Sequence, residues 1–341
     1  MFTDFGIRGL IRTNRELTPE QELRMLKLPD AAKLLKEYSS KWRLSGEAQF
    51  KMLESPKAKE LLEVYVSEHF LCDEALFKLF AMPNVKDFLF LNVFRMLPGK
   101  KIQLKMLDSP NVVEVVKYYI SLHYYFAPEA ELKLFDLPNA EELVKLYISS
   151  CPLCDEAKLK LFDLPNAEDL VKLYISKYEL CNAAELKLFD LPNAAEFVKL
   201  YISKNRLCDE AQLKMFDLPA AEELVKLYIS NQALCDKAQP KLFNLPNAAE
   251  FVKAYITKYS FCGEAQLKMF DLPNAEELVK AYITKYSFCD EAQLKLFDLP
   301  NALAVIKLYI LSNGLCDEAL LKMSEHPNST NLLLLYLSKK H

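Results

Sequence analysis

The stretch Asp271 to Phe297 reads DLPNAEELVKAYITKYSFCDEAQLKLF, and Asp163 to Phe189, DLPNAEDLVKLYISKYELCNAAELKLF, is nearly its copy. The prolines set the period. Pro29, Pro56, Pro83 and Pro110 are 27 residues apart. One step of 28 then leads to Pro138, and the 27-residue step resumes through Pro165, Pro192, Pro219, Pro246, Pro273, Pro300 and Pro327. Within the unit, Asn274 followed by Glu277 forms a capping-box pattern, and Ala275, Leu278, Val279, Tyr282 and Ile283 follow helical spacing. This predicts a first helix (helix A) over about Ala275 to Tyr286. Asp290 with Gln293 repeats the box and predicts a shorter helix B through Ala292, Leu294, Leu296 and Phe297, stopped by Asp298-Leu299-Pro300.

A hairpin of two such short helices cannot bury its apolar faces alone, whereas stacked copies form one continuous core. The expected class is therefore all-α: a right-handed α-solenoid of about eleven 27-residue hairpins with terminal caps. Residues 1–26 are expected as the N-terminal cap, 27–324 as the hairpins and 325–341 as a C-terminal capping helix, both ends polar. From about Leu17 to His341 the pattern resembles helical-hairpin repeat proteins of the tetratricopeptide, Sel1-like and HEAT types. Those repeats are longer, and their signature residues do not line up here. The resemblance implies the architecture and no particular family.

Composition narrows the functions. Of 341 residues, 51% are hydrophobic, enough for a large core, and 43 Lys and Arg against 47 Asp and Glu give a net charge of -4. Nucleic acid and membrane surfaces usually call for a basic excess. No apolar run approaches the roughly 18 residues of a membrane span, and Met1 to Thr18 lacks the apolar run of a secretory signal. With six glycines, no phosphate-loop or dinucleotide motif appears, and His69, His123, His326 and His341 have no metal-ligand company. Neither enzyme activity nor a metal or other cofactor is expected.

Reading down the repeats turns residues into columns. Eight cysteines, among them Cys154, Cys208 and Cys289, precede helix B as small hydrophobes, which suits a reducing, cytoplasmic setting. Cys151 makes a lone C-x-x-C with Cys154, read as an accident of a variable loop. A tyrosine column (Tyr147, Tyr201, Tyr282 and others) lies on the apolar stripe of helix A, so it is core, with hydroxyls expected at the rim for partners. Two lysine columns, one holding Lys187, Lys214 and Lys241, could track phosphates as a sequence-tolerant nucleic-acid binder. Glu291 before Lys295 and Glu276 before Lys280 instead predict a face neutralised by i,i+4 pairs.

Variation concentrates at the turn from helix A to helix B. Loops tolerate drift, but a partner-specific edge would be encoded there. The expected function is thus a non-catalytic scaffold for a protein or peptide, with Trp42, Arg43, His69, Phe70, Tyr124, Tyr125, Tyr178 and Arg206 as anchors. Phe88 to Phe94 and the inserted residue near His123-Tyr124-Tyr125-Phe126 mark a local irregularity, a kink or an aromatic pocket.

Overall fold

The computed structural model describes residues 4–91, 93 and 99–340. Among them every regular element is helical and none is a strand, so the all-α expectation holds. The helices are short and pack in neighbouring pairs. They form two compact units, Met1–Tyr178 and Glu179–His341. No described helix is long and apolar enough to cross a membrane.

Helix A recurs as Ala140–Ile148 in the first unit and as Ala194–Ile202, Ala248–Ile256 and Ala275–Ile283 in the second. The last ends three residues short of the expected Tyr286. There the chain leaves the helix, and the Tyr286 ring folds back on Tyr282 at 5.1 Å between centroids. The capping box at Asn274 does not form either. Asn274 sits at φ -108°, ψ 30°, outside the extended range that a side-chain cap uses, and makes no cap bond. Glu277 accepts instead from Lys253 of the preceding repeat at 2.8 Å.

Helix B corrects its expectation in a more consequential way. Cys289, not Asp290, is the N-cap of Asp290–Lys295, with φ -65°, ψ 161° and no side-chain cap bond. Gln293 is thereby moved to the buried side. Its Oε1 accepts from the Cys316 N–H of the next repeat at 2.8 Å, and its Nε2 donates to Phe288 O at 3.1 Å. A true capping box forms at Thr18 and Gln21, ahead of Pro19–Met25. Where Pro240 removes an N–H from helix B, the segment Gln239–Asn244 winds as a 3-10 helix.

Gln293 belongs to a buried column of Glu and Gln: Glu22, Gln49, Gln103 and Glu131 in the first unit, and Glu185, Gln212, Gln239, Gln266 and Gln293 in the second. Each takes a backbone N–H from the next repeat, as Glu131 does from Cys154 at 2.7 Å and Gln266 from Cys289 at 2.7 Å. The tyrosine column completes the tie. Tyr147 Oη accepts from Phe126 N–H at 3.1 Å and donates to Glu131 at 2.9 Å. Tyr201 Oη does the same with Leu180 N–H at 3.2 Å and Glu185 at 3.1 Å. These two hydroxyls are consumed inside the core rather than offered at its rim, and those of Tyr65, Tyr228 and Tyr255 are buried as well, without a hydrogen-bond partner. Burial pushes the Tyr174 phenol up to about 12. In Tyr147 burial and the Glu131 carboxylate together push it higher still.

The ends differ from the expected polar caps. At the N-terminus a further amphipathic helix, Asp4–Arg12, buries Ile7 and Ile11, and Arg8 clamps Asp30 through two oxygens. At the other end, helix Ser329–Lys340 leaves Leu334 and Leu337 exposed. Of the irregular stretch 88–94, Asn92 and Phe94 lie outside the described residues, as does His341.

Tyr201→Phe removes one hydroxyl that serves both Leu180 N–H and Glu185. The variant is expected to lose about 1–3 kcal/mol, the cost of leaving buried polar groups under-partnered, read as a lower urea midpoint at unchanged helicity. A midpoint equal to the wild type would show that the tie contributes nothing.

Candidate functional site at the turn between helices A and B

The turn carries two columns of side chains, and the eight anchors expected from the sequence divide evenly between them. The inner column holds Trp42, His69, Tyr124 and Tyr178, all half-buried. Three of these rings rest on core tyrosines. His69 lies 5.4 Å from Tyr65, Tyr124 5.4 Å from Tyr119 and Tyr178 5.3 Å from Tyr174, centroid to centroid. The His69 ring also reaches Ser39 O through Nε2 at 2.6 Å. Trp42 Nε1 is buried with no hydrogen-bond partner. In the second unit Tyr259 stacks on Tyr255 in the same way, at 5.2 Å. This column is packing for the turn.

The outer column holds Arg43, Phe70, Tyr125 and Arg206, all exposed. Arg206 belongs to the second unit, the other three to the first. The equivalent positions later in the chain are Ala233, Ser260, Ser287 and Gly314. Arg43 and Arg206 lie near the next core tyrosine. Burial pushes Tyr65 and Tyr228 up to about 12, and these guanidinium groups offset part of the rise.

Tyr125 is the most firmly placed of the four. The extra residue of the 28-residue step is absorbed where His123 takes a left-handed φ of 57°, uncommon for a residue with a Cβ. Beyond it, Tyr125 O accepts from Tyr119 Oη at 3.0 Å and from Gln103 Nε2 at 3.3 Å. The backbone is held from beneath while the Tyr125 side chain stays 56% exposed. Tyr178 is close by: burial, then the Cys151 and Tyr125 groups, raise its phenol. Tyr124 and Tyr125 thus sit side by side at one turn, and Tyr178 at a turn later in the same unit. Phe90 adds an exposed ring, edge-on to Tyr118 at 5.9 Å.

The lysine column has a different partner from the one expected. Lys214 lies 3.7 Å from Asp190 and Lys241 3.3 Å from Asp217, each an aspartate of the preceding repeat, and Lys187 is half-buried in helix Asn182–Leu188. Lys295 likewise meets Asp271 at 3.8 Å rather than Glu291. These aspartates close helix B, where the negative end of the helix dipole also favours a cation. The i,i+4 pair Glu276 and Lys280 does form, at 2.5 Å. Exposed pairs of this kind each contribute roughly 0–1 kcal/mol, so their effect is mainly to neutralise the face.

All nine cysteines are free. Cys151 is buried and points its thiol at Tyr124 O at 3.9 Å, and burial raises it. Burial also pushes Cys154 and Cys208 up to about 11, the opposite of an activated thiolate. Among the described residues no group of three His, Cys, Asp or Glu side chains gathers as a metal site would. The Glu/Gln column is not among the expectations drawn from the sequence, although its signal is there: the fourth residue after the helix B N-cap is Glu or Gln inside an apolar stripe in all but three repeats, which carry Leu76, Lys158 and Leu320. Compared with known proteins, the chain matches no family model, no curated protein and no solved structure.

Two outcomes follow from the buried groups. Burial raises Glu185, so its charged form is disfavoured in the folded state. Stability is then greatest below the unfolded value of about 4.3, falls as pH rises toward the folded value and levels off above it. Glu185→Gln, the residue carried at Gln212 and Gln239, is expected to abolish that slope. Urea midpoints across pH would show the variant ahead of wild type near neutrality and the gap closing in acid; a constant gap contradicts the assignment. For the thiols, iodoacetamide at about pH 8 is expected to leave Cys154 and Cys208 largely unmodified in the native chain and to label them in denaturant, as peptide mass spectrometry would show.

Proposed function

We propose that the chain is a non-catalytic repeat scaffold that binds a protein or peptide through exposed helix A to helix B turns in each of its two units, in a reducing compartment such as the cytoplasm. The observation that carries this reading is the outer turn column. Arg43, Phe70, Tyr125 and Arg206 are exposed, at positions where later repeats carry Ala, Ser or Gly. Arg and aromatic side chains are the usual energetic anchors of interfaces, and a backbone fixed as at Tyr125 reduces the ordering cost of binding. The inner residues Trp42, His69, Tyr124 and Tyr178 support the anchors by holding the turn. The lysine column carries less weight, because Lys214 and Lys241 lean on aspartates that a phosphate would have to displace.

The test is affinity capture from source-cell lysate, split into nuclease-treated and untreated halves, on the wild type and on a chain carrying Arg43→Ala, Phe70→Ala, Tyr125→Ala and Arg206→Ala. A bound protein that survives nuclease and drops at least about tenfold on the variant is the expected result. Capture that vanishes with nuclease, or that ignores the four substitutions, refutes the turn-edge reading.

A further inference from the structure

We propose that the groove between the Pro29 and Pro56 corners of the first unit binds an acidic peptide segment that carries an apolar side chain beside its carboxylates. The site lies at the C-terminal end of helix B, away from the turn edge, and shares no residue with it. The lysine column of helix B points to it. The residue 24 positions before the lysine is Glu54 for Lys78, Asp136 for Lys160, Asp190 for Lys214, Asp217 for Lys241, Asp271 for Lys295 and Asp298 for Lys322. All six pairs meet, at 2.8 to 3.8 Å. Before Lys51 the same place holds Lys27, the only base in that column. The residue preceding the acid changes too. Lys214 and Lys322 sit over the rings of Phe189 and Phe297, at 6.0 Å and 5.7 Å, and Leu26 stands where Lys51 would meet such a ring.

Lys27, Lys51 and Lys57 line one groove of about 540 Å³, a size usual for ligand clefts. Helices Pro19–Met25 and Gly46–Leu53 pack together behind it, and Lys57 Nζ joins the two corners by donating to Pro29 O at 2.8 Å. The rest of the lining is mostly apolar, with Leu26 and Leu28 buried, Leu23 half-buried, and Pro29 and Pro56 exposed. Carboxylates are short here. Glu54 lines the groove and is divided between Lys51 at 2.9 Å and Lys78 at 3.3 Å. Asp30, beside Pro29, is taken up by Arg8 through both oxygens. The equivalent groove at the Pro273 and Pro300 corners has the opposite charge, with Glu276, Glu277 and Asp298 against Lys280.

The column itself identifies the occupant. What Lys51 lacks is the ring and adjacent carboxylate that other repeats supply from a corner such as Phe297-Asp298-Leu299-Pro300. A foreign segment of that chemistry provides both, its acids drawn by the three ammonium groups and its apolar side chains covering the leucines and prolines. A nucleic-acid backbone would engage the lysines and leave the apolar lining bare.

Fluorescence anisotropy of the full chain with a dye-labelled LFDLPNAEE peptide, the sequence of residues 134–142, tests this. Saturable binding with a Kd of about 100 µM or tighter in about 50 mM salt is expected. Lys27→Asp, which restores the acid of the column, is expected to weaken it at least about tenfold, and Lys27→Gln by less, both with helicity and melting unchanged. Replacing the acids of the peptide by their amides, or its Leu and Phe by Ser, should each cost about tenfold or more. Absence of binding to the wild type overturns the proposal, as does binding indifferent to Lys27→Asp or to either peptide change. The chain carrying Arg43→Ala, Phe70→Ala, Tyr125→Ala and Arg206→Ala should bind the peptide like the wild type, which separates this site from the turn edge; loss of binding there overturns the assignment. Anionic phospholipid vesicles or a single-stranded oligonucleotide held through Lys27, with the peptide unbound, would assign the groove to another partner and equally overturn it.

Discussion

Everything else in this structure depends on a buried side-chain amide or carboxylate that satisfies the backbone of the neighbouring repeat. Where its N-cap is a cysteine, as at Cys208 and Cys262, helix B starts without a side-chain cap. The Cys208 N–H at the start of one such helix would be an orphan inside a protein core. Glu185, reaching over from the preceding repeat, accepts that N–H at 2.6 Å, and Tyr201 fixes the carboxylate from the other side. An unpaired buried N–H costs about 1–3 kcal/mol, so a slipped stacking register would be penalised at each repeat that carries the tie. Apolar burial supplies adhesion between hairpins, but it is non-directional. The polar tie specifies which hairpin surface meets which, and at what height.

That division of labour explains which positions vary. Columns inside the tie change little: a tyrosine at its place, and a Glu or Gln at its place except where Leu76, Lys158 and Leu320 stand. The lysines outside it form pairs with aspartates one repeat away, exposed and individually weak, and they keep the face near neutral. The inner turn residues need only a flat or polar group that rests on the tyrosine, so Trp, His, Tyr and Asn all serve. The outer turn residues have no shared packing demand. Their identities are free to answer to something other than the fold.

Most of the architecture was legible in one sequence because a period repeated eleven times averages out local ambiguity. The proline step, the apolar spacing of helix A and the core position of Tyr282 could all be read directly. What could not be read was the direction of side chains within a turn of helix. Gln293 after Asp290 looks like a capping box, and only the geometry, with Cys289 as N-cap, turns Gln293 inward and Asp290 outward. For the turn edge, the sequence located the variable positions but could not tell Arg43 from Trp42, because half-burial against Tyr38's neighbourhood is a property of the fold and not of residue type.

In a chain this regular, departures carry more information than matches. A residue that fits its column is accounted for by stacking. Leu334 in a lysine column, Tyr125 after a left-handed His123, and Arg206 where later repeats carry Ala or Ser are not. Each departure adds exposed apolar area, an exposed ring or an exposed guanidinium that the stack does not use. Such groups have a cost in solubility or order when nothing covers them. At the turn edge they are aromatic and cationic, the chemistry that most often anchors an interface.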